Sequence, residues 1–262
     1  MMQSLYTSST GMLSMQTQID TTANNIANVN TMGYKKSRAE FADLMYKVMT
    51  YAGTSTSDTT RSPTGVEVGL GVRPTAINKI FSEGSLKQTE NPLDMAITGK
   101  GFFKIQLPSG AEAYTRNGSF KIDQNGTLVN SDGYTIIPEV VIPEDAVNIS
   151  VGADGIVSVT QAGQAQSTQV GQISLTNFIN PAGLHAMGDN LFSETDSSGQ
   201  PVEGTPGING LGTVRQGFVE LSNVQLVVEL TDLITAQRAY DANSKVITTS
   251  DEMLSTTNSL KR

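Results

Sequence analysis

Apolar residues recur every seven positions at both ends of the chain, and this spacing restricts what the ends can form. Near the N-terminus the repeat falls on Leu5, Met12, Ile19 and Ile26, and near the C-terminus on Leu226, Leu233, Tyr240, Ile247 and Leu254. An interval of seven predicts two helices that each carry an apolar seam. The positions four residues further on in the second helix are mostly polar, at Gln237, Ser244 and Asp251. Neither helix is expected to bury a full stripe alone, so each packs either on the middle of the chain or on the other helix and neighbouring chains.

The middle of the chain changes to short apolar runs separated by glycine and asparagine. The runs occupy residues 102–107, 119–122, 127–130, 134–137, 148–151, 156–160, 169–178 and 214–221. Asn-Gly or Asp-Gly pairs end the segments 123–126, 130–133 and 152–155, which predicts tight hairpins. The Gly-, Pro- and Ser-rich run 197–212 predicts a long loop. The predicted fold class is α+β, with terminal helices that pair as a coiled coil and a central, mainly antiparallel β domain.

These patterns divide the chain into three predicted regions. Residues 1–33 and 224–262 form a terminal helical domain, residues 34–70 and 214–223 form a connecting segment, and residues 71–213 form the β-rich domain. The connecting segment includes residues 46–65, whose Ser, Thr and Gly content is typical of a flexible linker.

Composition narrows the classes of function. The 262 residues carry 17 Lys and Arg against 25 Asp and Glu, a net charge of -8, which argues against a nucleic-acid partner. Disulfides and thiolate chemistry are excluded because the chain has no cysteine. No stretch approaches the roughly 18 apolar residues of a membrane span, so membrane insertion is not expected. The N-terminus also lacks the basic and apolar parts of a conventional cleaved signal peptide.

No group of residues meets the demands of catalysis or of a metal site. His185 is the single histidine, and no nucleophile neighbours it in the sequence. The turns at Asp123, Asp132 and Asp154 lack the terminal glutamate of a calcium loop. We therefore expect no enzymatic activity, no metal and no cofactor.

Four asparagines fall within seven residues, at Asn24, Asn25, Asn28 and Asn30, although asparagine is a poor helix former. The surrounding stretch 23–41, ANNIANVNTMGYKKSRAEF, closely resembles the signature of the bacterial flagellar rod and hook proteins, the axial family. The resemblance continues, in the family's order, through residues 91–103, 113–129 and 219–254.

The resemblance implies a structural subunit of the distal rod, which polymerises into a rigid tubular drive shaft and passes torque from motor to hook. The length fits the rod rather than the longer hook proteins. In this family the terminal helices pair in the innermost layer of a tube, so Asn24, Asn25 and Asn28 are expected to lie with the two seams at subunit interfaces. The alternatives are another axial protein, either the proximal rod subunit or the hook protein, and more distantly a soluble β-rich binding module.

The resemblance also implies partners and a location. The partners are other copies of the chain, the proximal rod proteins, the hook protein, the P-ring and L-ring proteins and the flagellar type III export apparatus. The location is the basal body, where the rod crosses the periplasm after export without a cleaved signal peptide. The family's export pattern, a phenylalanine followed four residues later by an apolar residue, is met by Phe41 and Met45. Packing on the β domain is the alternative role of these two residues.

Residues 46–65 resemble an insertion that distal rod proteins carry and typical hook proteins lack. We expect Tyr46, Val48, Met49 and Tyr51 to anchor this segment in a neighbouring subunit, with Pro63 stiffening its exit. Such an anchor would become ordered on assembly and make the polymer stiff.

Overall fold

The structure is a computed structural model that describes residues 2–54, 61–161 and 166–259. The chain forms two compact units. The first unit contains the described parts of 1–27, 37–78 and 225–262, and the second contains those of 28–36 and 79–224. Each unit is therefore built from segments that are distant in the sequence.

The first unit contains both predicted helices and two small sheets. The helices are α1, Met2–Ala27, and α2, Leu226–Ser259. The strands are β1, Ser37–Asp43, β2, Tyr46–Thr50, β3, Val66–Gly69, and β4, Val72–Lys79, whose last residue belongs to the second unit. β1 pairs with β4, and β2 pairs with β3 as an antiparallel ribbon.

The second unit contains the other strands of the described residues, and all of them are short. In chain order they are β5 Leu86–Gln88, β6 Met95–Thr98, β7 Phe102–Gln106, β8 Glu112–Thr115, β9 Lys121–Ile122, β10 Leu128–Val129, β11 Thr135–Ile137, β12 Ala146–Val151, β13 Ile156–Gln161, β14 Thr168–Gln172, β15 Leu175–Asn177, β16 His185–Gly188, β17 Leu191–Ser193, β18 Val202–Gly204, β19 Thr213–Gln216 and β20 Phe218–Glu220. A short 3-10 helix, Pro181–Gly183, precedes β16.

The largest sheet of the second unit has nine strands. Its main path runs β16-β17-β8-β7-β11-β10-β9, while β15 pairs with β7 and β18 pairs with β15. A second sheet has the order β12-β13-β14, and the pairs β6-β19 and β5-β20 complete the unit. The pairings are antiparallel, as the hairpin turns predict.

The three predicted hairpin turns are confirmed. Gly126, Gly133 and Gly155 have φ values of 81°, 85° and 78°, and each follows a strand whose next neighbour in the chain pairs with it. The prediction of a loop over 197–212 is wrong for its centre, because β18 lies there and pairs with β15. A three-residue strand at a sheet edge has too few apolar residues for periodicity to detect it.

The apolar core lies in the second unit. Its main cluster contains Met95, Ile97, Phe103, Phe120, Leu128, Ile136, Val140, Ile142, Val157, Val159, Ile173, Leu175, Leu211 and Val214. A neighbouring aromatic cluster contains Phe102, Tyr114, Phe178, Leu184 and Phe192, with Phe81 packed against it. The predicted α+β class is confirmed. Most of the buried apolar residues lie in the strands of the second unit and the segments between them, whereas the helices bury few.

Candidate functional site

The two long helices of the first unit pack against each other in opposite directions. Ser4 Oγ lies 3.4 Å from Ser250 Oγ. Further along, Asn25 Nδ2 donates a hydrogen bond of 3.1 Å to Glu229 Oε2. The two contacts are three heptads apart in α1 and three heptads apart in α2, so the helices run alongside each other between them.

Small and polar side chains form the surface between the helices. A Cβ built at Gly11 would lie 3.0 Å from Asn243 Nδ2, so glycine permits close approach at this point. The buried residues of α2 are Glu229, Ala236 and Ser250. Those of α1 are Ser8, Ser14, Thr21, Thr22 and Asn25. The contact within the chain is therefore made mainly without the large apolar residues.

The predicted apolar seams lie beside this contact rather than at its centre. Leu5, Met12, Ile19, Ile26, Leu233, Ile247 and Leu254 are half-buried, whereas Leu226 and Tyr240 are exposed. The helix contact instead uses the second heptad line of α2, three residues after each apolar position: Glu229, Ala236, Asn243 and Ser250. The hydrophobic pattern does not reveal this line because its residues are small or polar.

Asn25 is the asparagine that the structure explains most fully. Its Nδ2 donates to the carbonyl oxygen of Ser37 over 2.8 Å, and its Oδ1 accepts from the Ser37 amide over 2.9 Å. With the bond to Glu229, its amide joins α1, α2 and the first residue of β1. Asn25 is 2% exposed, so these bonds are shielded from water. Asn24 is exposed, and Asn28 accepts a bond of 3.1 Å from the Thr31 hydroxyl.

The described part of 46–65 is not a structureless linker. Residues Tyr46–Thr50 pair with Val66–Gly69 and extend as a two-stranded ribbon. Tyr46, Met49 and Tyr51 are 53%, 66% and 75% exposed, Val48 is half-buried, and Pro63 is exposed. Residues 55–60, in the middle of the predicted insertion, lie outside the described residues.

The two residues of the predicted export pattern differ in their surroundings. Phe41 lies in β1 and is half-buried. Met45 lies between β1 and β2 and is 83% exposed. Packing therefore accounts for Phe41 in part, whereas it does not account for Met45.

The second unit contains a buried ionic cluster that the sequence analysis did not identify. Glu220 Oε1 lies 2.5 Å from Lys35 Nζ and accepts a bond of 2.9 Å from the Gly84 amide. Arg116 Nε lies 3.6 Å from Glu220 Oε2. Burial lowers the pKa of Lys35, although the Glu220 carboxylate opposes this shift, and burial likewise lowers the pKa of Arg116.

This cluster joins the four stretches that carry the family resemblance. Lys35 comes from 23–41, Arg116 from 113–129 and Glu220 from 219–254. Arg116 Nη2 also donates to the carbonyl oxygen of Gly99, in 91–103, over 2.6 Å. The sequence could have indicated this ionic cluster only through the presence of a lysine, an arginine and a glutamate inside these stretches. The type of charge alone does not predict which residues pair.

Comparison with protein families identifies the class of the chain. The family described as flagella basal body rod protein matches residues 5–35, the flagellar hook protein FlgE/F/G D1 domain matches 96–159, and the flagellar basal body rod FlgEFG protein C-terminal region matches 215–260. The two helices and the β-rich unit are therefore those of a flagellar rod and hook protein.

Relatives along the full length specify the family within this class. The flagellar basal-body rod protein FlgG of Buchnera aphidicola subsp. Schizaphis graminum is 52% identical over 97% of this chain and 98% of its own. The FlgG proteins of Borreliella burgdorferi and Bacillus subtilis are 48% and 42% identical, with complete coverage of both chains. The chain belongs to the FlgG family of flagellar basal-body rod proteins. It is a structural protein of the flagellar basal body, as the sequence predicted.

Two further findings concern membranes and metals. Neither helix in the described part of the chain combines the length and the apolar character needed to cross a membrane. Within residues 2–54, 61–161 and 166–259, no three acidic or histidine side chains gather in the way that a metal ion requires.

Proposed function

We propose that the chain polymerises into the distal rod through the apolar positions that flank the contact between α1 and α2. One observation carries this proposal: the helices meet through small and polar residues, while large apolar side chains remain exposed on them. Leu13, Val227 and Ile234 are 60%, 77% and 51% exposed. Exposed apolar area of this kind is typical of a surface that another protein covers. Copies related by one repeated contact build an open helical array, which is the geometry of a shaft.

The pairing of α1 and α2 as a supercoiled coiled coil belongs to this proposal. Its support is the equal spacing of three heptads in both helices between two contacts, Asn25 against Glu229 at one end and Ser4 against Ser250 at the other. Asn24 and Asn28 are proposed to bond to neighbouring subunits. The proposed functional division of the chain has three regions. They are the terminal helical domain, 1–33 with 224–262, the connecting segment, 34–70 with 214–223, and the β-rich domain, 71–213.

We propose that the assembled rod is the rigid shaft that crosses the periplasm and transmits torque from motor to hook. Its proposed partners are other copies of the chain, the proximal rod, the hook, the P and L rings and the type III export apparatus. A structural role of this kind involves no enzymatic activity. The full-length FlgG relatives favour this role over that of a hook protein or a binding module.

The β2-β3 ribbon is proposed to bridge adjacent subunits and stiffen the rod. Its support is the exposure of Met49 in β2 and of Tyr51 directly after β2, which are 66% and 75% exposed. Val66, on the partner strand, is 53% exposed. An isolated two-stranded ribbon is marginally stable in water, so contact with a neighbour would stabilise it.

Recognition by the export apparatus is proposed for Phe41 and Met45. Met45 allows a clean test because it is 83% exposed and its replacement does not disturb packing. Met45→Ser should reduce secretion, while Met49→Ser, also at an exposed methionine, should not. Quantitative immunoblotting of cells and culture medium measures the secretion of each variant. The strain used is one in which the rod does not grow and the exported subunit is released into the medium. Equal secretion of the two variants would leave Phe41 with a packing role only.

Charge placed on the apolar positions of α2 tests the polymerisation. Replacing Leu233 and Ile247 with aspartate should prevent rod formation, because each aspartate would be buried among apolar groups of another subunit. Gln237 and Thr248, exposed on the same helix, provide the matched control when both are changed to aspartate. Electron microscopy of isolated basal bodies reports rod formation, and circular dichroism reports folding. Normal rods from the Leu233 and Ile247 variant would refute the proposed interface.

A further inference from the structure

One lysine of the second unit lies against two aromatic rings and forms no ion pair with a carboxylate of the described residues. Lys79 Nζ is 5.2 Å from the ring centroid of Tyr34 and 5.9 Å from that of Phe192. Both distances lie within the range of a cation-π contact. No ion pair to Lys79 is formed by any carboxylate of the residues that the structure describes.

The rings that hold the lysine are fixed by other contacts. Phe192 packs edge-on against Phe81 and Phe102, with centroid distances of 5.3 and 6.1 Å. Tyr34 is 8% exposed and follows Gly33, whose φ is 71°. A Cβ at Gly33 would lie 2.6 Å from the Asn117 amide nitrogen, so this backbone path requires glycine. The two rings that the ammonium group contacts are therefore held in place by the fold, which lowers the entropic cost of binding.

A cavity of about 190 Å³ opens beside Lys79. Asn28 and Tyr34 line one side, and the turn between β16 and β17 lines the other, including Asp189 and Asn190. Burial lowers the pKa of Lys79, because the ammonium group has lost part of its hydration without gaining an anion. The second lysine of the cavity, Lys35, already pairs with Glu220. An anion in this cavity would therefore find Lys79 as its counter-ion.

We propose that this cavity binds a carboxylate side chain from a second copy of the chain in the assembled rod, with Lys79 as its counter-ion. This proposal rests on the proposed polymerisation. The source follows from charge, since each chain has 25 acidic and 17 basic residues. A second copy thus offers more carboxylates than basic groups, and a cation without an ion pair in a preformed cavity is a favourable site for one of them. The cavity has room for a side chain but not for a strand or helix.

Reactivity of the lysine in monomers and in rods tests the proposal. Acetic anhydride should modify Lys79 at least about tenfold more slowly in isolated basal bodies than in the monomer, because an ion pair covers the amine. A zero-length carbodiimide reagent should join Lys79 to an Asp or Glu of another copy in basal bodies and give a dimer on a denaturing gel. Mass spectrometry of the joined peptides identifies the carboxylate. Equal acetylation in the two states, or a monomer in which Lys79 joins its own Asp189, would overturn the proposal.

Variants separate charge from packing. Lys79→Gln should reduce the number of rods about tenfold, in line with the coupling of close charge pairs across interfaces. Lys79→Arg keeps the charge and should form nearly as many rods as the parent. Lys87→Gln makes the same charge change at an exposed lysine of β5 and should have little effect. Equal rod numbers for Lys79→Gln and the parent would overturn this proposal alone, whereas absence of the parent chain from basal bodies would overturn the polymerisation as well.

Discussion

At the scale of single residues, polar side chains with several partners determine how distant segments meet. Asn25 bonds to both backbone groups of Ser37 and to Glu229. Asn223 does the same in the second unit, where its Oδ1 accepts from the Lys36 amide over 2.8 Å and its Nδ2 donates to the Ile80 carbonyl over 2.8 Å. A planar amide that donates and accepts at once links two backbone segments, which explains why asparagine occurs at position 25 although helix propensity disfavours it.

Removing the charge of Glu220 should destabilise the second unit strongly. Glu220→Gln retains the shape of the side chain but leaves Lys35 and Arg116 without their anion, and breaking such a buried pair costs about 3–5 kcal/mol. Urea unfolding of the monomer, followed by circular dichroism, measures this loss of stability. Glu40→Gln is the matched control because the Arg38-Glu40 pair is exposed, and surface pairs contribute little. Similar midpoints for the two variants would show that the buried cluster is not a stabilising element.

The sequence did not indicate that the charged residues of this cluster pair with one another. Lys35, Arg116 and Glu220 stood in the stretches that resemble the axial family, yet 185 residues separate Lys35 from Glu220 along the chain. Local patterns report periodicity over one or two turns or strands, and they carry no information on contacts between segments so far apart. The asparagine cluster was informative for the opposite reason, since its cost to the helix required a compensating contact.

At the scale of elements, the sequence predicted the heptad-spaced helices and the strands next to Asn-Gly or Asp-Gly turns, and it missed several strands without such a signal. The helices extend over many heptads and the hairpin turns have Asn-Gly or Asp-Gly, so α1, α2 and the turns after β9, β10 and β12 could be placed. Edge strands of three residues, such as β18, could not. The β2-β3 ribbon was also missed, because its two short strands flank a Ser-, Thr- and Gly-rich stretch that has the composition of a linker.

Removing the β2-β3 ribbon should give polymers that form but bend. The deletion of residues 46–69 suits the structure because the Leu44 amide donates to the Gly71 carbonyl over 2.8 Å, so the two ends already lie together. Without the ribbon, the proposed bridge between subunits is lost while the contacts of α1 and α2 remain. Electron micrographs of isolated basal bodies measure the curvature.

A substitution variant separates the anchoring side chains from the length of the ribbon. Met49→Ser combined with Tyr51→Ser keeps the ribbon and removes two highly exposed large side chains, one in β2 and one directly after it. Intermediate curvature is expected from this variant, since the ribbon retains its backbone but has a weaker anchor. Straight rods from the deletion would assign stiffness to another part of the chain and remove the main physical argument for the ribbon as a bridge.

At the scale of the whole molecule, the two units are stabilised in different ways. The second unit has a large apolar cluster that includes Ile97, Phe103, Phe120 and Val157, each fully buried. In the first unit, the described part of α2 buries one apolar residue, Ala236. Its other buried residues, Glu229 and Ser250, are polar. Long helices derive most of their stability from packing an apolar face, so the first unit is expected to be less stable until another copy covers it.

Hydrogen exchange should reveal this difference and its reversal on assembly. In the monomer, amides of α1 and α2 should exchange faster than those of β7, β8 and β13, because opening the helix pair exposes little additional apolar area, whereas opening the strands disrupts the core. In isolated basal bodies the helices should become at least as protected as the strands, since neighbouring copies then cover Leu233 and Ile247. Mass spectrometry of peptides from both samples gives the comparison within one chain, with the strands as the internal control. Helices that are as protected in the monomer as β7 and β8 would mean that the contact within the chain is sufficient, and the apolar positions beside it would no longer require a second copy.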